Sequence, residues 1–175
     1  AVSSHYFLHP PRTPECAAGQ AAWQQLASID PSLQAYLPSR ENLVVNVGFE
    51  ENVLNGGFDW WYQSNPHAAL AIDTNQFHGG SRSLSVTFDG LNPPEAGIIQ
   101  FIPVKPNTEY EFSAECRSED LDTASGPRFA VTDAYTNAPY VLTDDSLGSN
   151  PWRLQEARFQ TGPDTKLLLL KIVRQ

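Results

Sequence analysis

Phe58-Asp59-Trp60-Trp61-Tyr62-Gln63 places four aromatic rings, a carboxylate and a carboxamide in consecutive positions. Flat rings offer surfaces against which the C–H faces of a sugar can stack, and planar polar side chains can bond its hydroxyls. In an extended chain, successive side chains point to opposite faces. If one of Trp60 and Trp61 enters a core, the other therefore faces the opposite way, and Tyr62 follows the first. Two readings stay open: Trp60 plugs the core while Trp61 covers a neighbouring loop, or the outward ring is a ligand platform. Trp152, next to Pro151, fits either a strand start packed on the core or a second stacking surface. Gln63, Asn65 and Arg82 are the candidate hydrogen-bond partners for a ligand stacked on Trp61, Tyr62 or Trp152. Tyr135 and Tyr140 flank Thr136-Asn137-Ala138-Pro139, a loop-like stretch, and either ring could be exposed.

Other chemistries find less in the chain. Glycoside hydrolysis needs two carboxylates at a defined separation, yet Asp144-Asp145, Glu119-Asp120 and Asp122 lie in polar, loop-like stretches that read as solvated surface. His5, His9, His67 and His78 form no pair at zinc-ligand spacing. There is no Gly-x-Ser-x-Gly elbow, and Gly79-Gly80-Ser81 is too short for a phosphate loop. We therefore expect no enzyme and no organic cofactor. The net charge of −9, with no run of Lys or Arg, works against nucleic-acid or anionic-membrane partners. No apolar stretch approaches the roughly 18 residues that span a bilayer. The first residues, AVSSHYFLHPP, lack the layout of a signal peptide, and the absence of methionine is expected of a processed chain or a fragment of a longer one. Cys16 and Cys116 fit no metal spacing; they read as two buried free thiols or as a disulfide tying the N-terminal segment to the rest.

The elements that must position these side chains are mostly strands. In 97–117, Tyr110, Phe112, Ala114 and Cys116 alternate with Glu109, Glu111, Ser113, Glu115 and Arg117, the period of a strand wet on one face. The preceding run 98–104 is apolar on both faces apart from Gln100, and Lys105-Pro106-Asn107-Thr108 has turn residues. The pattern predicts a β-hairpin. Strands are predicted over 43–47, 68–73, 81–88, 97–104, 109–117, 128–135, 152–160 and 166–173, with turn signals between them, as an all-β sandwich requires. The last is apolar on both faces and is expected to lie centrally. Before them, 1–12 reads as an extended arm. Thr13-Pro14 and Asp30-Pro31 each give a cap-and-proline start for a short helix, the first carrying Ala22, Trp23, Leu26 and Ile29. The expected division is 1–40, an arm with two short helices, and 41–175, a sandwich.

Asn42-Leu43-Val44-Val45-Asn46-Val47-Gly48-Phe49-Glu50, followed by an aromatic near Trp60, resembles the opening of the carbohydrate-binding modules of the galactose-binding-domain-like jelly-roll superfamily. His78-Gly79-Gly80-Ser81-Arg82-Ser83-Leu84, Gln100 with Val104-Lys105-Pro106-Asn107-Thr108-Glu109-Tyr110, and Pro151-Trp152-Arg153 through Phe159-Gln160-Thr161 resemble later strands and turns of that family. The resemblance implies a jelly-roll β-sandwich of roughly eight or nine strands, without catalytic residues. It also implies, in many relatives, a structural calcium. Glu50 matches one ligand of that site and the carbonyls near Gly80 could match others, but the last strand lacks the family's aspartate; Glu50 is either a calcium ligand or a hydrogen-bonded carboxylate without metal. The helix AAWQQLASIDPSL is similar to the second helix of a tetratricopeptide repeat.

Two functions are carried forward. One is a non-catalytic carbohydrate-binding-like module, taking a glycan weakly through exposed aromatics. The alternative is a structural or protein-interaction domain at the C-terminal end of a larger bacterial protein. The fold class leans the compartment towards periplasm or cell surface.

Overall fold

The computed structural model describes residues 13–39 and 41–174. The arm expected over 1–12, with His5 and His9, and the side chain of Cys16 lie outside what is described.

Among the described residues one α-helix, α1 (Thr13–Ile29), precedes the strands. It is followed by a 3-10 helix, Pro31–Tyr36, where a second short α-helix was expected. The cap predicted at Asp30 is made: its carboxylate accepts from Ser32 N at 3.0 Å and from Ser32 Oγ at 2.7 Å. Leu37 then turns extended ahead of Pro38, which disfavours a helical residue before it.

Nine strands follow: β1 (Trp61–Tyr62), β2 (Ala68–Asp73), β3 (Ser83–Phe88), β4 (Glu95–Pro103), β5 (Glu109–Leu121), β6 (Arg128–Asp133), β7 (Pro139–Leu142), β8 (Gly148–Gln160) and β9 (Leu167–Val173). A five-stranded antiparallel sheet runs β1-β4-β9-β6-β7. Two ribbons, β2-β3 and β5-β8, supply the second layer. The core between the layers holds Ile98, Ile102, Leu168, Leu170, Val131 and Val141 from the sheet and Phe112 from β5, with Leu70, Leu84, Ala157 and Phe159 of the ribbons packed against them. The chain is thus a β-sandwich with a short N-terminal helical segment. β9 is central between β4 and β6, as its two apolar faces require.

The expected hairpin is not formed. β4 pairs with β1 and β9, whereas β5 pairs with β8 from Glu109↔Gln160 onward, so the two arms belong to different layers. Residues 104–108 keep their turn chemistry, Asn107 being left-handed at φ 49, but they bond across to the turn before β9. Val104 N donates to Lys166 O at 3.0 Å, Thr108 N to Thr161 Oγ1 at 3.0 Å, and Thr161 N to Thr108 O at 3.0 Å. A turn that finds its partners on another loop carries the chain between layers instead of folding it back.

The strand expected over 43–47 is also absent. The fully buried Gln100 side chain takes the place of a strand partner: its Oε1 accepts from Val45 N and its Nε2 donates to Val45 O, both at 2.9 Å. Beyond it, Asn46 and Phe49 adopt left-handed φ of 47 and 57, which break any ladder. β1 and β7 carry no strand signal of useful length, and β5 and β8 run four residues past their expected ends through irregular register at Ser118↔Asn150 and Leu121↔Gly148.

Candidate functional site

The residues 46–60 decide where the rings go. Asn46 bridges them, donating Nδ2 to Glu51 O and accepting at Oδ1 from Glu51 N. Asp59 is wholly buried and accepts from Leu54 N at 2.7 Å. Burial pushes its pKa above the ordinary carboxylate value, against hydrogen bonds that lower it. A raised pKa means that the folded state holds this proton longer than the unfolded chain does. The stability so conferred is complete below the ordinary aspartate pKa and is lost as pH rises through the raised folded value. Asp59→Asn is expected to remove that decline, so the Tm difference between variant and parent should grow from pH 4 to pH 7; a difference independent of pH would show that Asp59 is ionised throughout.

With the loop fixed, the two tryptophans part as alternation demands. Trp60 enters the core, stacks on Phe49 with centroids 5.1 Å apart and planes at 23°, and donates Nε1–H to Asn46 O at 3.1 Å. Trp61 faces the other side of the sheet, packs against the apolar cluster of Phe58, Phe101, Ala134 and Leu167, and donates Nε1–H to Gly57 O at 3.0 Å. It is half-buried and its orientation is pinned. Tyr62 is 44% exposed at the sheet edge, its N–H taken by Asn55 Oδ1 at 2.9 Å.

β1 leads directly into one wall of an open depression of about 520 Å³, formed by 63–67 facing 91–95, with Gly97 between. Gln63 N donates to Gly97 O at 2.8 Å. Gly97 has φ +85, and a Cβ there would lie 2.6 Å from Gln63 O, so only glycine lets the walls meet. The Gln63 carboxamide is exposed and makes no hydrogen bond among the described residues. The Asn65 carboxamide is committed: Nδ2 donates to Glu95 O at 2.8 Å and Oδ1 accepts from His67 N at 2.9 Å. His67 Nδ1 lies 2.9 Å from Asp89 Oδ2. Through the pairs Trp61↔Ile99 and Ile99↔Lys171, Lys171 shares the Trp61 face two strands away, and its Nζ meets Glu95 Oε1 at 2.5 Å. Trp61, Tyr62, Gln63, Glu95 and Lys171 thus gather at one corner of the sandwich. Of these, Glu95 and Lys171 escape sequence reasoning, as does the shaping Gly97; a glycine at the start of an apolar run was the available signal.

The other expected site residues stand elsewhere. Arg82 donates Nη1–H to Asn52 Oδ1 at 3.3 Å. Trp152, on β8, sits beside His78 with ring centroids 5.9 Å apart, and His78 Nε2 is 3.9 Å from Glu115 Oε1. Tyr140 is tied by its hydroxyl to Thr165 Oγ1 at 2.6 Å and to Gly162 N at 3.0 Å. Cys116 is a half-buried free thiol.

Glu50 is a hydrogen-bonded carboxylate. Its Oε1 accepts from Ser81 N at 2.7 Å and Arg82 N at 3.2 Å, and its Oε2 from Ser81 Oγ at 2.6 Å. Those donors, led by the Ser81 hydroxyl, hold its pKa below the ordinary value. Among the described residues no group of three His, Cys, Asp or Glu side chains converges as a metal cage.

The carbohydrate binding domain family profile matches residues 41–174, and the chain belongs to that family. Among solved structures it is similar to the Clostridium thermocellum N-terminal endo-1,4-β-D-xylanase 10B, CBM22-1 and GH10 modules complexed with xylohexaose. The identity is 14% and the TM-score 0.46, over 66% of this chain and 23% of that one, so this chain spans less than a quarter of that structure. A search of curated proteins returns no match. No helix among the described residues is long and apolar enough to cross a membrane.

Proposed function

We propose that the chain is a non-catalytic carbohydrate-binding module whose glycan contacts lie at the corner of β1, β4 and β9. The observation that carries this reading is the exposed Tyr62 ring on an edge strand, directly continued by the unengaged carboxamide of Gln63 on the wall of an open depression. Tyr62 and Trp61 supply stacking surfaces to either side of the edge. Gln63 and the Lys171–Glu95 pair supply donors and acceptors for hydroxyls. Asn65 shapes the wall instead of touching the ligand, and Arg82 and Trp152 take no part at this corner. The shallow, open form of the site accords with weak binding.

The test is affinity electrophoresis through gels containing soluble polysaccharides. Tyr62→Ala is expected to weaken retardation at least tenfold, as loss of a central aromatic contact does, with a stability change within about 0.5 kcal/mol because the ring is exposed. Trp152→Ala is expected to leave retardation unchanged. Equal loss in both variants, or loss in Trp152→Ala alone, moves the site to the β5-β8 ribbon.

A second reading, a protein-interaction domain, is favoured by Leu26 and Ile29, one helical step apart on α1 and 43% and 76% exposed. On that reading no polysaccharide retards the protein.

A further inference from the structure

α1 lies outside the stretch that matches the family, yet it reaches the loop that holds Trp61. The link runs through one peptide. Gly57 has φ +61, and a Cβ built on it would lie 2.9 Å from both Cζ2 and Cη2 of Trp23. The carbonyl of the same Gly57 accepts the Trp61 Nε1–H at 3.0 Å. Trp23 therefore presses on the residue whose oxygen sets the angle of the Trp61 ring.

Trp23 is itself fixed. Its Nε1–H donates to Tyr36 O at 3.2 Å, and the Tyr36 hydroxyl donates to Asn52 O at 2.7 Å. Gln34 Nε2 ties the 3-10 helix back to Ala27 O at 2.7 Å. One turn before Trp23, Gly19 lies against Phe58, 3.9 Å from its ring if a Cβ is built there, so the helix meets the loop at two successive residues, Gly57 and Phe58. Gly57 thus meets the Trp23 ring on one side and holds the Trp61 N–H through its carbonyl.

We infer that Trp23 is a positioning residue for Trp61: the N-terminal helix braces the stacking ring of the family domain in its binding orientation. Holding a ring before the ligand arrives spares the cost of ordering it on binding, so a brace improves affinity without touching the ligand. The inference rests on the glycan reading only for its consequence; the brace itself rests on the contacts around Gly57.

The experiment uses the full chain carrying 5-fluorotryptophan, whose four 19F resonances, one for each tryptophan, are assigned by single Trp→Phe variants. Trp23→Ala is expected to shift or broaden the Trp61 resonance while leaving that of Trp152 in place, and to weaken the strongest signals on a glycan array about tenfold. Trp23→Phe keeps a ring against Gly57 and should restore both. Because Trp23→Ala could loosen the whole helix, Gly57→Ala serves as the second variant: it changes no residue of α1 and forces the Trp23 ring away from the loop. An unchanged Trp61 resonance in both variants overturns the brace, as does a shifted resonance with undiminished array signals. A shifted resonance in a protein that is silent on the array from the start upholds the brace and refutes the glycan reading.

Discussion

Replacing Gln100 by leucine is expected to cost about 2 to 6 kcal/mol of unfolding free energy, from two buried backbone groups left unpaired at about 1 to 3 kcal/mol each. The side chain is fully buried and makes both of its bonds to one residue, Val45 N and Val45 O, at 2.9 Å each. Leucine keeps the volume and the apolar contacts with the sheet but offers Val45 neither acceptor nor donor. Val45 is itself buried, so water is no substitute partner. Urea unfolding checks the figure. A loss below about 1 kcal/mol, within the net worth of an ordinary hydrogen bond, would mean that 42–48 pairs elsewhere once Gln100 is gone.

Trp60→Ala is expected to cost about 3 to 5 kcal/mol, the usual range for a large buried aromatic. Trp60 is 7% exposed, stacked on Phe49, and bonded to Asn46 O at 3.1 Å. Its loss opens a void where Phe49 and Asn46, both in left-handed backbone, meet the core. Trp60→Phe retains a ring against Phe49 and loses the N–H bond, so a cost of about 1 kcal/mol is expected from that bond alone. Similar losses for Trp60→Ala and Trp61→Ala in thermal and urea unfolding would contradict the assignment of Trp60 to the core and Trp61 to the outer face.

That Trp60 and Trp61 face opposite ways is legible in Phe58-Asp59-Trp60-Trp61-Tyr62-Gln63 because alternation along an extended chain is local, whereas the edge position of Tyr62 depends on which strand pairs with β1. Legible too is the central place of β9, since Leu167 to Leu170 cannot be apolar on both faces and lie at an edge. What failed was choice of partner. Lys105-Pro106-Asn107-Thr108 has the residues of a reversing turn, but whether it closes a hairpin depends on Thr161 and Lys166, more than fifty residues on. The 43–47 segment has strand composition, yet its ladder is a glutamine side chain, which no periodicity reports. β1 is two residues long and has no period to detect.

The same division runs through the site. Gln63 and Asn65 look equivalent in sequence, but the Asn65 amide is spent on Glu95 O across the depression and on His67 N of its own wall, while the Gln63 carboxamide is left unengaged among the described residues. Arg82 and Glu50 are drawn into the Ser81 turn, and Trp152 is carried to the β5-β8 ribbon beside His78. Glu95 and Lys171 are brought together by the pairing of β4 with β9, across which their side chains form an ion pair between positions 76 residues apart.

The claim that this corner binds a glycan is tested most directly by a glycan-array screen followed by titration of intrinsic tryptophan fluorescence in the parent protein and in Trp61→Phe. Saturable binding to one glycan class is expected, with a fluorescence change that largely disappears in Trp61→Phe. Silence across plant, bacterial and animal glycans, or a saturable change that survives in Trp61→Phe and vanishes in Trp152→Phe, would contradict it.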